Sequence, residues 1–204
     1  MLFEDTYRTI TTNHEGYYKE KGSKFIAFAM PAENESDVKQ LLEKIRKEYH
    51  DARHHCFAYR LGADKLIYRV NDDGEPSGTA GRPIFGQIQS NDLTNILIVV
   101  IRYFGGTKLG VRGLINAYKT ATQDALEKAK IITKTVNDVY KVDYKYEKMN
   151  SVMKIVKDEG LNIFDQRFEI DCSIKFVVRK KYSQLIFEKF QNINNLKIKY
   201  LYTN

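Results

Sequence analysis

The sequence has no tryptophan, three prolines, two cysteines and four histidines in 204 residues. Each scarcity removes a class of protein. Two cysteines, Cys56 and Cys172, lie far apart and cannot build a disulfide framework. They read as free thiols of a reducing compartment, so a cytoplasmic location is expected. His50, His54, His55 and Cys56 cluster, but no Cys-x-x-Cys or second cluster completes a zinc set, so no metal is expected. The longest aliphatic run, 96–101, is far too short to span a bilayer. Residues 1–5 lack the basic and apolar regions of a secretory signal. What remains is 43% apolar and 29% charged, which describes a globular protein able to bury a core.

Glycine is scarce too, except in one place. Eight of the 12 glycines fall between 74 and 113, with two of the three prolines. They form two loops, 72–83 (DDGEPSGTAGRP) and 104–113 (FGGTKLGVRG), separated by the apolar run 96–101. Clustered glycine signals unusual dihedrals or close approach of the backbone to another group. The loop N–H groups must find partners, and an anion can supply them. Around the loops, residues 82–119 hold Arg82, Arg102, Lys108, Arg112 and Lys119 against Asp92 alone. Such a segment attracts phosphates.

Known phosphate motifs fail here. Gly106-Thr107-Lys108 has the wrong order for a Walker loop, and no Gly-x-Gly-x-x-Gly is present. Asp72, Asp73 and Glu75 lack the alternate spacing of a calcium loop. An Asp73/Glu75 pair, with His54 nearby in the pattern, could move protons in an enzyme whose glycine loops hold a phosphorylated small molecule. More often such acids cap turns through Asx-type bonds.

Periodicity supplies the elements. Residues 15–30 read as a hairpin turning at Lys21-Gly22-Ser23. A helix with Val38, Leu41, Leu42, Ile45 and Tyr49 on one face follows the capping residues 34–37. His54 and Cys56 share one face of a strand. A second strand covers 66–70, and a short helix starts near Arg82 and ends before Asp92. Strand 95–103 is apolar throughout and should be covered on both faces. It feeds the second glycine loop and then a helix of about five turns, its apolar face made by Val111, Leu114, Ile115, Tyr118, Ala121, Ala125, Leu126 and Ala129. Strand, glycine loop and helix together place an anion on a helix N-terminus.

Past residue 130 the texture changes. Only Gly160 remains, and 131–204 carries 14 Lys/Arg against 9 Asp/Glu. Alternation at 140–146 and 170–178, helical faces at 149–156 and 182–190, and strands at 163–168 and 196–202 give the order β-α-β-β-α-β. That is the ferredoxin-like split βαβ motif. Two domains are therefore expected, 1–130 and 131–204.

The two loops carry a resemblance. Residues 72–84, 102–110, 21–27 and the pattern His54-x-Cys56-x-Ala58-Tyr59-Arg60 are similar to the signature stretches of the YigZ/Impact family. The resemblance covers 15–130 closely and picks out Asp73, Gly74, Glu75, Ser77, Gly78, Thr79, Gly81, Gly105, Gly106 and Gly110 as signature positions, with His54 and Cys56 in support. Arg112 departs from it, standing where a glycine is expected. The resemblance implies an α+β chain. Its N-terminal two-layer α/β sandwich would resemble domain IV of elongation factor G, and a ferredoxin-like domain would follow. It implies no cofactor. In eukaryotes Impact proteins restrain a starvation-response kinase by competing for its ribosome-associated activator. The expected partner is thus RNA, the ribosome or a ribosome-associated protein, with Arg82, Arg102, Lys108, Arg112 and Lys119 as anion-binding residues and no role for a membrane.

Overall fold

The computed structural model describes residues 5–203. The chain separates into two compact units. One spans Tyr7–Lys134, and the other joins the residues up to Thr6 with those from Thr135 onward.

The first unit is built on β2 (His14–Glu20), β3 (Ser23–Pro31), β4 (His54–Leu61), β5 (Ile67–Asn71) and β6 (Ile96–Tyr103). They form one sheet in the order β2-β3-β6-β4-β5, every neighbouring pair antiparallel. Strands β2 and β3 join through Lys21 and Gly22, both at positive φ, as a tight two-residue hairpin demands. The apolar strand β6 is central, and residues 96–101 are fully buried. Two short strands, β1 (Thr6–Ile10) and β7 (Ile131–Thr135), pair separately.

Both faces of the five-stranded sheet are covered. On one face α2 (Gly81–Ser90) and α3 (Gly110–Lys128) pack Ile84, Ile88, Leu114, Tyr118, Ala121 and Ala125 against Phe25, Ala27, Cys56, Ile98 and Val100. On the other, α1 (Glu35–Glu48) lays Val38 and Ile45 against Phe28, Phe57, Tyr59, Leu97 and Val99. The α+β sandwich is present, and α1 gives it a further helical cover on the second face. Helix α1 begins where Asn34 Oδ1 accepts the Asp37 N–H at 3.0 Å, satisfying one orphan donor of the first turn. Each aliphatic side chain fully buried here contributes about 1.5–3 kcal/mol over an exposed one.

The second unit runs β8 (Asn137–Lys145), α4 (Met149–Asp158), β9 (Asn162–Arg167), β10 (Asp171–Arg179), α5 (Ser183–Gln191) and β11 (Leu196–Thr203). Its antiparallel sheet has the order β11-β8-β10-β9. This is the ferredoxin-like arrangement. Tyr140, Val142 and Tyr144 alternate inward with Ile174, Phe176 and Val178, closed by Val152, Ile186 and Phe190. Tyr146, expected to continue the alternation, leaves the strand for a short 3₁₀ turn and is exposed. No helix among the described residues is long and apolar enough to cross a membrane.

Candidate functional site: two glycine loops at one end of a sheet

The antiparallel order brings the start of β3, the start of β4 and the end of β6 to one end of the sheet, where Lys24 pairs with Tyr103 and His54 with Arg102. Both glycine loops are attached there, the first before α2 and the second after β6.

The first loop is saturated with internal bonds. The Asp72 carboxylate accepts N–H groups of Gly78 at 2.8 Å, Ala80 at 3.0 Å and Gly81 at 2.8 Å. Burial pushes the Asp72 carboxyl up, but those three bonds and nearby Arg82 outweigh it and hold it below the usual carboxylate range. Asp72 therefore occupies the N-terminus of α2 as a built-in anion. Asp73 takes a left-handed backbone, its carboxylate accepting the His55 N–H at 2.7 Å and lying 3.6 Å from Arg46. His54 Nδ1 donates to the Asp73 carbonyl at 2.8 Å. Thr79 closes the loop on the Pro76 carbonyl, while Gly74 and Ser77 face solvent.

Beneath the loop lies a buried polar chain. Arg102 Nη1 donates to Glu75 Oε1 at 2.7 Å, and the Tyr118 hydroxyl donates to the same oxygen at 2.9 Å. The Cys56 thiol donates to the Asp72 carbonyl at 3.0 Å and lies 3.3 Å from the Tyr118 hydroxyl. Glu75 and Arg102 are 9% and 7% exposed. The Arg102 guanidinium also sits over the rings of Phe25 and Phe104, 5.5 and 5.4 Å from their centres. Burial pushes the Cys56 thiol up to about 12 and raises Tyr118 as well.

This geometry redistributes the expected roles. Arg102, read from the sequence as an anion-binding residue, spends its charge on Glu75, because a cation at the end of an all-apolar strand must be paired to stay buried. Cys56 holds its proton at neutral pH, and Glu75 is locked in an ion pair, so neither offers a free nucleophile or base. Among the described residues no three His, Cys, Asp or Glu side chains converge as a metal site requires. Tyr118, Phe25 and Phe104 join the site without a local signal in the sequence, Tyr118 reading only as part of the apolar face of α3. The usable signal was Arg102 itself, a lone charge closing a buried strand.

The second loop is built differently. Gly105 packs on the hairpin turn so closely that a Cβ there would lie 1.9 Å from the Gly22 carbonyl carbon, and its N–H donates to Ser23 Oγ at 3.1 Å. Beyond that anchor Leu109 packs on the core, and the residues around it open outward. Gly106 and Gly110 have positive φ and open space around them. Helix α3 starts with no side-chain cap and no acidic residue in its first turn. Lys108, Arg112 and Lys119 are exposed beside it, as is Arg82 at the start of α2. Val111 and Ile115, expected in the buried face, are 58% and 38% exposed. They lie in the first two turns of α3, where Leu114 is the first residue of the stripe to be buried. Arg112 lies in the first helical turn without positive φ, so the chain's own packing asks for no glycine there.

The Impact N-terminal domain model matches residues 21–126, which contain both loops. The chain belongs to the IMPACT family. An IMPACT family member of Haemophilus influenzae is 34% identical over 163 residues, 79% of each chain. The Escherichia coli member YigZ is 36% identical over 134 residues, 65% of this chain and 66% of that one. The crystal structure of a hypothetical protein is similar over 97% of this chain and 98% of its own, at 25% identity and a TM-score of 0.72. The IMPACT match thus spans the whole loop-bearing end of the first unit. It includes the buried Cys56, Glu75, Arg102 and Tyr118 as well as the exposed Lys108 and Arg112.

Proposed function

We propose that this IMPACT family member is a regulatory binding protein of the translation apparatus. It contacts RNA, the ribosome or a ribosome-associated protein through the basic surface of the second glycine loop and the start of α3. The carrying observation is the division of labour between the helix N-termini. Asp72 already fills that of α2, whereas α3 presents free N–H groups, Lys108 and Arg112, and no acid from 93 to 123. An anionic group of a partner would complete it. Family membership supplies the setting, through the tie of eukaryotic Impact proteins to a ribosome-associated activator. A binding role also fits the first loop, whose candidate acids are consumed by structural bonds.

The test is co-sedimentation with ribosomes at low salt. Replacing Lys108 and Arg112 with Gln should release the protein into the supernatant and flatten the salt dependence. Unchanged co-sedimentation would remove this surface as the contact.

A further inference from the structure

The helices of the ferredoxin-like unit cover one face of its sheet, and on the other the stretch from Lys141 to Lys145 reaches solvent. On that face Lys199 stands directly opposite Lys141, and Lys141 directly opposite Lys175. Three lysines therefore stand abreast on β11, β8 and β10, strands spaced about 4.8 Å apart. Two residues along, Lys197 faces Asp143, Asp143 faces Ser173, and Ser173 faces Arg167 on β9. Lys145 and Asp171 form the next row. All of these but Lys199 line a shallow open basin of about 910 Å³.

The charge on this face is unbalanced. Lys141, Lys145, Arg167, Lys175, Lys197 and Lys199 stand against Asp143, Asp165 and Asp171. The acids are engaged with lysines of the same face, Asp143 with Lys141 and Asp165 with Lys175, both at 2.7 Å, and Asp171 with Lys145. Like charges directly opposite across strands destabilise a sheet. The ion pairs to Asp143 and Asp165 offset part of that repulsion, but six cations still stand against three acids on this face, and a polyanion lying along it would balance the excess. The row itself carries no aromatic ring, and the exposed Tyr202 stands opposite Val139 one row further along, so such a ligand would be held mainly by its phosphates. Nor does the row carry an apolar side chain to enter a membrane.

We propose that this open sheet face binds single-stranded RNA through its phosphates, with Lys199, Lys141 and Lys175 as the central row and Lys197 and Arg167 beside it. The face lies in a different unit from the glycine-loop surface and stands or falls separately.

The experiment uses the full chain and fluorescein-labelled oligouridine, with affinity followed by anisotropy across a salt series. Affinity should fall with salt, and the K141Q/K175Q/K199Q variant should lower the log–log slope by about 2, at ~0.7 per lost phosphate contact. Its thermal midpoint should stay close to that of the parent, since the lost repulsion is offset by the lost pairs to Asp143 and Asp165, which are partly exposed and weak. In the opposite direction, D143N/D165N should tighten binding with every lysine intact. A slope unchanged in the triple variant, or no tightening in D143N/D165N, overturns the proposal. So does a slope that responds to K108Q/R112Q and not to the sheet variants; that result would give RNA to the loop surface. Tighter retention on phosphatidylserine vesicles than on oligouridine at equal salt would also overturn it.

Discussion

Two glycine-rich loops lie at the same end of one sheet and do opposite things. In loop 72–83 almost every polar group is turned inward. Asp72 gathers three backbone N–H groups, Asp73 holds the start of β4, and Glu75 reaches down to Arg102 and Tyr118. In loop 104–113 the anchors are Phe104 on Arg102, Gly105 on the hairpin turn and the half-buried Leu109 on the core. The remainder is open and basic. Glycine richness alone therefore does not mark a binding loop. What separates the two is whether the chain supplies its own carboxylates to the exposed N–H groups.

The comparison can be broken most forcefully at Arg102. If the first loop is held from below, Glu75→Gln leaves a buried guanidinium without its counter-charge. Denaturant unfolding should show a loss of about 3–5 kcal/mol. A double variant, E75L/R102M, should recover much of it, since replacing both charges by apolar groups removes the desolvation cost. A loss in the double variant equal to that of Glu75→Gln would mean that the ion pair is not what holds the loop.

Gly105→Ala comes next. The added methyl would meet the Gly22 backbone, and overpacking of this kind costs about 1–3 kcal/mol. Gly106→Ala has room but positive φ and should cost about 1 kcal/mol. Thermal unfolding should rank the two in that order.

Asp72→Asn sharpens the contrast through pH. Its folded carboxyl titrates below the ordinary value. The stability it contributes is therefore complete above the unfolded pKa of about 3.9 and lost as pH falls through the lower folded value. The stability gap between parent and Asp72→Asn should be constant near neutrality and close in acid. A gap that widens in acid would refute the capping role.

The smallest stability effect belongs to the second loop. K108Q/R112Q/K119Q touches only exposed side chains and should move stability by no more than about 0.5 kcal/mol. A larger change would show that these residues support the fold and blur the division between the loops.

Much of the fold was legible because periodicity reports burial directly. The unbroken apolar run of β6, the Asn34 cap, the Lys21-Gly22 turn and the order of the ferredoxin-like unit each follow from one local pattern. The site was less legible, because its organising bonds are non-local. Glu75 and Arg102 are 27 residues apart, and Glu75 reads as one more loop acid until the sheet brings them together. Tyr118 reads as an ordinary member of the α3 stripe, since periodicity cannot show that its hydroxyl ends on a buried carboxylate. Val111 and Ile115 were misplaced for a related reason. A helical face drawn from sequence has no length limit, while the sheet that covers it ends.

The contact of Gly105 with Gly22 has a consequence for how this protein can vary. Two main chains meet there without room for a single carbon, so neither position can explore other side chains without moving both loops. A few residues away, Gly106, Lys108 and Arg112 border open solvent. A saturation library scored for folding should show two intolerant columns beside a stretch where Lys108 and Arg112 accept nearly every substitution and only Gly106 is penalised, by its positive φ. A new partner specificity could then arise in that stretch without disturbing the frame beneath it.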